Sequence, residues 1–144
     1  MLVRLLYASR VAPQVDADGL QAILRQCKEH NPAQGITGLL CHCPASGVFM
    51  QALEGGRSAV NRLYNRIAND PRHHDVVLLS YEEITERRFS GWSMGLVTMS
   101  RLNPALLLKY SATAELNPYA VSGLASLALF DELVATASVL GDRG

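Results

Sequence analysis

Hydrophobic residues alternate between strand-length runs and helical stripes from the first residues onward. Leu2-Val3-Arg4-Leu5-Leu6-Tyr7 is an apolar run closed by Ser9 and Pro13, the pattern of a strand. Asp16 or Asp18 can cap the helix that follows. Leu20, Ile23, Leu24 and Cys27 recur on one face of that helix, which ends near Asn31-Pro32. Gly35 precedes a second strand from Ile36 to His42, and Pro44-Ala45-Ser46-Gly47 reads as a hairpin turn. Val48 to Leu53 is the returning strand, broken by Gly55-Gly56. Val60, Leu63, Tyr64, Ile67 and Ala68 predict a second helix, stopped by Asp70-Pro71. Val76 to Tyr81 and Trp92 to Met99 are the last two predicted strands, with Glu86-Arg87-Arg88 between them.

This order predicts an α+β domain: a ferredoxin-like βαββαβ sheet plus a fifth strand, with both helices on one face. Strands one and three should then be central neighbours. From about residue 100 the pattern changes. Pro104 to Lys109 and Leu124 to Leu140 read as apolar helices, the second with Leu127, Phe130, Val134 and Ala137 on one stripe. The expected organisation is a domain over 1–99 and a helical extension over 100–144. The extension packs on the bare sheet face or at an oligomer interface.

Composition narrows the function classes. The 144 residues carry 13 Lys+Arg and 13 Asp+Glu, so no basic surplus offers a general grip on nucleic acid. A chain of 144 residues is long enough to hold a core without staples. Cys27, Cys41 and Cys43 form no C-x-x-C pair, which suits a reducing cytoplasm. The first residues lack a signal-peptide core, and no uncharged run reaches the roughly 20 apolar residues of a membrane span. The expectation is a soluble cytoplasmic protein that binds neither membrane nor nucleic acid.

No nucleotide-binding loop, nucleophile elbow or zinc-protease motif occurs in the chain. Cys41-His42-Cys43 on a strand points its thiols one way and its imidazole the other, so it does not make a metal site. His73-His74 reads as a solvated loop just past a helix end. A set of uncharged hydrogen-bonding residues is more informative. Tyr7 and Ser9 end the first strand, Asn31 closes the first helix, and Gln51 interrupts an apolar strand. A buried Gln needs partners for both its carbonyl and its NH₂, and Tyr7 on a neighbouring strand could be one. An edge position facing water suits Gln51 equally from spacing alone. Trp92 and Met94, at i and i+2, should share one side of the fifth strand.

These residues lie within stretches that together resemble the BLUF family of blue-light receptors using FAD. They are Leu5-Leu6-Tyr7-Ala8-Ser9, His30-Asn31-Pro32-Ala33-Gln34-Gly35-Ile36-Thr37-Gly38-Leu39-Leu40, Phe49-Met50-Gln51-Ala52-Leu53-Glu54-Gly55, Asp70-Pro71-Arg72-His73-His74 and Arg87-Arg88-Phe89-Ser90-Gly91-Trp92-Ser93-Met94. Five such pieces in order, over about residues 1–99, are specific together. The tail around Leu107-Leu108-Lys109-Tyr110-Ser111 is similar to that of short, single-domain members.

The resemblance implies non-covalent FAD between the two helices. Asn31, Arg72, His73 and His30 would contact it, and Ile23 would pack on its ring. Tyr7 and Gln51 would form the photoactive chain, adjusted by Ser9 and by Trp92 or Met94. It implies a receptor without enzymatic activity, signalling to an effector protein in trans or through a homo-oligomer. Two other classes share the fold. A small acylphosphatase-like hydrolase would use Gly55-Gly56-Arg57-Ser58 to cradle phosphate. An RNA-binding module would need stacking aromatics and a basic face that this chain lacks.

Overall fold

A computed structural model describes residues 1–13, 15–44, 46–98 and 104–136. Ten elements follow one another: β1 Leu2–Val11, α1 Ala17–His30, a 3-10 turn Pro32–Gln34, β2 Thr37–Cys43, β3 Val48–Gly56, α2 Arg57–Ala68, β4 His73–Ile84, β5 Gly95–Thr98, α3 Pro104–Tyr110 and α4 Gly123–Thr136. The five strands form one sheet in the order β4-β1-β3-β2-β5. Neighbours are antiparallel except β2 and β5. This is the predicted α+β, ferredoxin-like arrangement with its fifth strand. Ala45, Met99 and Ala137 to Leu140, which fall in the predicted turn, strand and final helix, lie outside the described residues.

Alternation along β1 separates two cores. Val3, Leu5 and Tyr7 point toward α1 and α2, where Leu20, Leu24 and Val60 meet them. Leu6 and Ala8 point to the opposite face, where Leu107 of α3 and Leu129 and Phe130 of α4 cover the sheet. Asp16 is the N-cap of α1, its carboxylate accepting the Gly19 N–H at 2.9 Å. Gly123 opens α4 against β4, where a Cβ would come within 1.8 Å of the Leu79 carbonyl oxygen. Only a residue without a side chain lets α4 approach that closely.

Several boundaries differ from the sequence reading. Gly55-Gly56 does not break β3: the pair continues the ladder opposite Val3 and Leu2. Gly55 also admits the Gly35 carbonyl, which would lie 3.0 Å from a Cβ there. His73 and His74 are not in a solvated loop; they open β4, paired with Val11 and Arg10. β4 carries two extra residues relative to β1, one at Leu79 and one opposite Ser9. The fifth strand starts at Gly95, not Trp92, because the Trp92 N–H closes a turn onto the Phe89 carbonyl at 3.0 Å.

Glu54 of β3 is fully buried and sets the course of the β4–β5 connection. Its carboxylate accepts from Arg4 Nε at 2.9 Å, the Arg88 N–H at 2.9 Å and the Phe89 N–H at 2.7 Å. Arg4 also donates to Glu82 of β4 at 2.8 Å. A buried charge is tolerable only with such partners. The anchored segment then reaches α4, through Phe89 edge-on to Phe130 and Arg88 paired with Asp131. Removing the carboxylate leaves Arg4 short of a partner and two backbone donors unsatisfied. Glu54→Ala should therefore lower unfolding free energy by about 3–5 kcal/mol, read from urea denaturation. A loss below about 1 kcal/mol would mean that Glu82 alone satisfies Arg4.

Candidate functional site

Register places the two most informative polar residues opposite one another: Tyr7 of β1 pairs with Gln51 of β3. The Tyr7 hydroxyl donates to Gln51 Oε1. Gln51 Nε2 lies 3.3 Å from Met94 Sδ. Gln51 is 4% exposed, so the reading of an edge position facing water falls away. Burial above all pushes the Tyr7 phenol well above its usual range, with Cys27, Tyr64 and Asp70 adding to the shift, so it keeps its proton.

The pair lies at the base of a cleft between α1 and α2. The inner part, about 50 Å³, is walled by Ile23, Leu40, Phe49 and Ile67, with Gln51, Arg72 and His73 contributing polar atoms. A wider outer part, about 180 Å³, adds Gln26, Cys27, His30 and Asn31. Asn31 closes α1, is 3% exposed, and donates its side-chain amide to the Ser93 carbonyl at 2.9 Å. Burial pushes the Cys27 thiol up to about 11, against the opposing influence of Arg72, so it is a neutral wall residue.

The turn after α2 brings a charged pair to the cleft. Asp70 accepts Arg72 Nε at 3.0 Å and the Arg72 N–H at 2.9 Å. That contact holds the Asp70 carboxyl below the usual range and the guanidinium above it. Arg72 also reaches across to Gln26 of α1 at 3.1 Å. The His73 ring bridges α2 and β1, with Nε2 on the Ile67 carbonyl and Nδ1 2.9 Å from Ser9 Oγ. A carbonyl only accepts, so Nε2 carries a proton; in the neutral ring Nδ1 then accepts from Ser9.

The structure thus gathers Tyr7, Ile23, His30, Asn31, Gln51, Arg72 and His73 on one cleft, with Ser9 behind His73 and Met94 behind Gln51. It separates Trp92 from Met94. Met94 is fully buried on the cleft side, whereas Trp92 packs against the core on the opposite face. The expected i, i+2 relation fails because these residues precede β5 in a turn. The sequence reading did not assign Asp70 and Gln26 to the site, although the Asp-x-Arg spacing was visible. It also gave no role to Glu54.

Apolar walls of Ile23, Leu40, Phe49 and Ile67, with the Gln51 amide, a guanidinium and an imidazole set among them, suit a planar heteroaromatic group with polar edges. Other chemistries find no support. Cys41 and Cys43 contribute to the extension-side core, while His42 meets Phe49 edge-on at 5.0 Å. Among the described residues no cluster could hold a metal ion. Gly55 and Gly56 lie in the ladder, and Arg57 pairs with Glu83 at 2.9 Å, so the phosphate cradle of a small hydrolase is not supported. No helix among the described residues is long and apolar enough to cross a membrane.

Comparison with known proteins agrees with the chemistry of the cleft. A family model described as sensors of blue light using FAD, BLUF, matches residues 2–95. Photoactivated adenylate cyclase subunit beta of Euglena gracilis is 38% identical over 102 residues, 70% of this chain. The match spans only 12% of that relative's length. The photo-activated state of BlsA superposes with a TM-score of 0.83 at 30% identity, covering 93% of this chain and 95% of BlsA. The dark state of BlrB, a BLUF protein, gives 0.77 at 34% identity with the same coverage of each chain. The chain belongs to the BLUF family, the sensors of blue light using FAD.

Proposed function

We propose that this chain senses blue light through a switch made by Tyr7 and Gln51 at the base of a flavin cleft. The observation that carries the reading is the buried phenol-to-amide hydrogen bond between register partners on the two central strands. Bound FAD supplies the blue absorption and the redox chemistry. The protein's part is to position and to exchange hydrogen bonds. Ile23 would pack against the flavin ring, and Asn31, His30, Arg72 and His73 would hold its polar atoms.

Tyr7 Oη holds a proton in the dark and donates it to Gln51 Oε1. Gln51 is the side chain that can reverse its pattern, because carbonyl and NH₂ exchange places on rotation or tautomerisation. Its other partner, the Met94 thioether, is a weak acceptor, so reversal gives up little on that side. A switched hydrogen bond amounts to about 0.5–1.5 kcal/mol net, enough to bias a two-state neighbour about 2- to 13-fold. Met94 and the turn through Trp92 form that neighbour, and Ser9 adjusts the Tyr7–Gln51 network through His73, whose ring lies beside Tyr7. The chain itself performs no catalysis; it acts in the cytoplasm, through an effector protein in trans or through its own homo-oligomer.

Three substitutions test this reading. Tyr7→Phe should still bind FAD but lose the light-induced red shift; a normal shift would contradict the assigned donor. Gln51→Leu should give yellow protein whose dark spectrum is already displaced and does not respond to a lamp. An unchanged photocycle would remove Gln51 from the switch. Trp92→Ala should keep the colour change, because the indole lies outside the cleft, and alter the rate of dark recovery timed after a flash. Loss of the shift itself would place Trp92 in the switch instead.

A further inference from the structure

β4 leaves regular strand geometry beside the cleft. Ala8 pairs with Val77 and Arg10 with His74, so Ser9 alone faces both Asp75 and Val76. An extra residue of this kind bends its strand and re-aims the side chains next to it. Asp75 adopts φ 54°, the only positive φ outside glycine among the described residues. Aspartate enters the left-handed region more readily than most residues, yet it is disfavoured there. Two positions earlier, His73 turns into the cleft against Ser9 and Ile67.

The helical extension holds this irregularity in place. Tyr119, between α3 and α4, donates its hydroxyl to the Asp75 carbonyl at 2.8 Å. The Arg10 guanidinium lies 4.6 Å from the centre of the Tyr119 ring, and its Nε is 3.7 Å from the Asp75 carboxylate. Tyr119 is itself fixed: its N–H meets Asn117 Oδ1 at 3.2 Å and its ring packs on the extension-side core. Groups from β1, from β4 and from the extension therefore converge on one strained backbone position. A bulge takes backbone groups out of the ladder, and Tyr119 supplies the donor that this carbonyl needs.

We propose that Tyr119 is a positioning residue for the flavin site: it clamps left-handed Asp75 so that the bulge aims the His73 imidazole at Ser9 and Ile67. The inference rests on the reading of His73 as a flavin-site residue. It makes the extension a working part of the sensor as well as a cover for the sheet. The clamp acts through backbone, so its removal moves the site without touching it.

Tyr119→Phe keeps the ring and the Arg10 contact and removes only the hydroxyl. In protein without FAD, amide hydrogen exchange followed by mass spectrometry should quicken in the peptide spanning residues 73–77. In FAD-loaded protein the dark absorption maximum should move, and dark recovery should change about two- to tenfold, the equivalent of one neutral hydrogen bond. Asp75→Gly enters the left-handed region without penalty. In that background Tyr119→Phe should leave recovery nearly unchanged. Unaltered exchange at 73–77 in Tyr119→Phe would overturn the clamp. Faster exchange with unchanged colour and recovery would overturn the positioning role and leave a structural prop. An equal effect with Gly at position 75 would show that left-handed strain is not what Tyr119 holds. A parent protein that takes up FAD but keeps its colour under blue light would sink the sensor reading, while the exchange measurement would still decide the clamp.

Discussion

One hydrogen bond between a phenol and a primary amide, shut away from water, is the interaction on which the site depends. Neither group is charged, so burial costs little once both are paired. Register controls the pairing. Because Tyr7 stands opposite Gln51, both side chains emerge on the face covered by α1 and α2. A slip of one residue would send one of them to the α3–α4 face, since neighbouring strand positions point to opposite sides. The long, continuous β1–β3 ladder, with nine matched positions, guards against that slip.

Around this bond the molecule is stiff on one side and adjustable on the other. Glu54, three positions along β3 from Gln51, fixes the Arg88 and Phe89 amides with a charge that has nowhere else to go. Met94, beyond the same connection, meets Gln51 only through a soft sulfur contact. In the proposed switch, a hydrogen-bond change at Gln51 reaches Met94 first, while Glu54 anchors the stem at Arg88. Asn31 and Gly38 hold the carbonyls of Ser93 and Trp92 and confine any movement to these few residues.

How much of this could be read in the chain depended on whether a residue broke a pattern. Gln51 within an apolar strand and Tyr7 at the end of another stood out, and the strand order made them neighbours. The split of apolar positions between two faces was legible for the same reason. Glu54 was not, because a carboxylate before Gly-Gly reads as a solvated strand end. Its burial comes from Arg4 and two amides far away in sequence. The loop reading of His73 followed from its place just past a helix end, whereas the ladder with Val11 already begins there. Trp92 and Met94 parted company because strand spacing was applied to a turn. Asp75 carried no local signal at all, since the residues that meet it, Ser9, Arg10 and Tyr119, lie far away in sequence.

The two irregularities of β4 have a consequence for the molecule in a crowded solution. β4 is a twelve-residue border strand with Val77, Leu78 and Tyr81 substantially exposed. A straight border of that length would be a template for another chain's strand, the first step toward fibrils. Offsets at Leu79 and opposite Ser9 spoil its spacing of donors and acceptors, so a foreign strand could match only a few residues at a time.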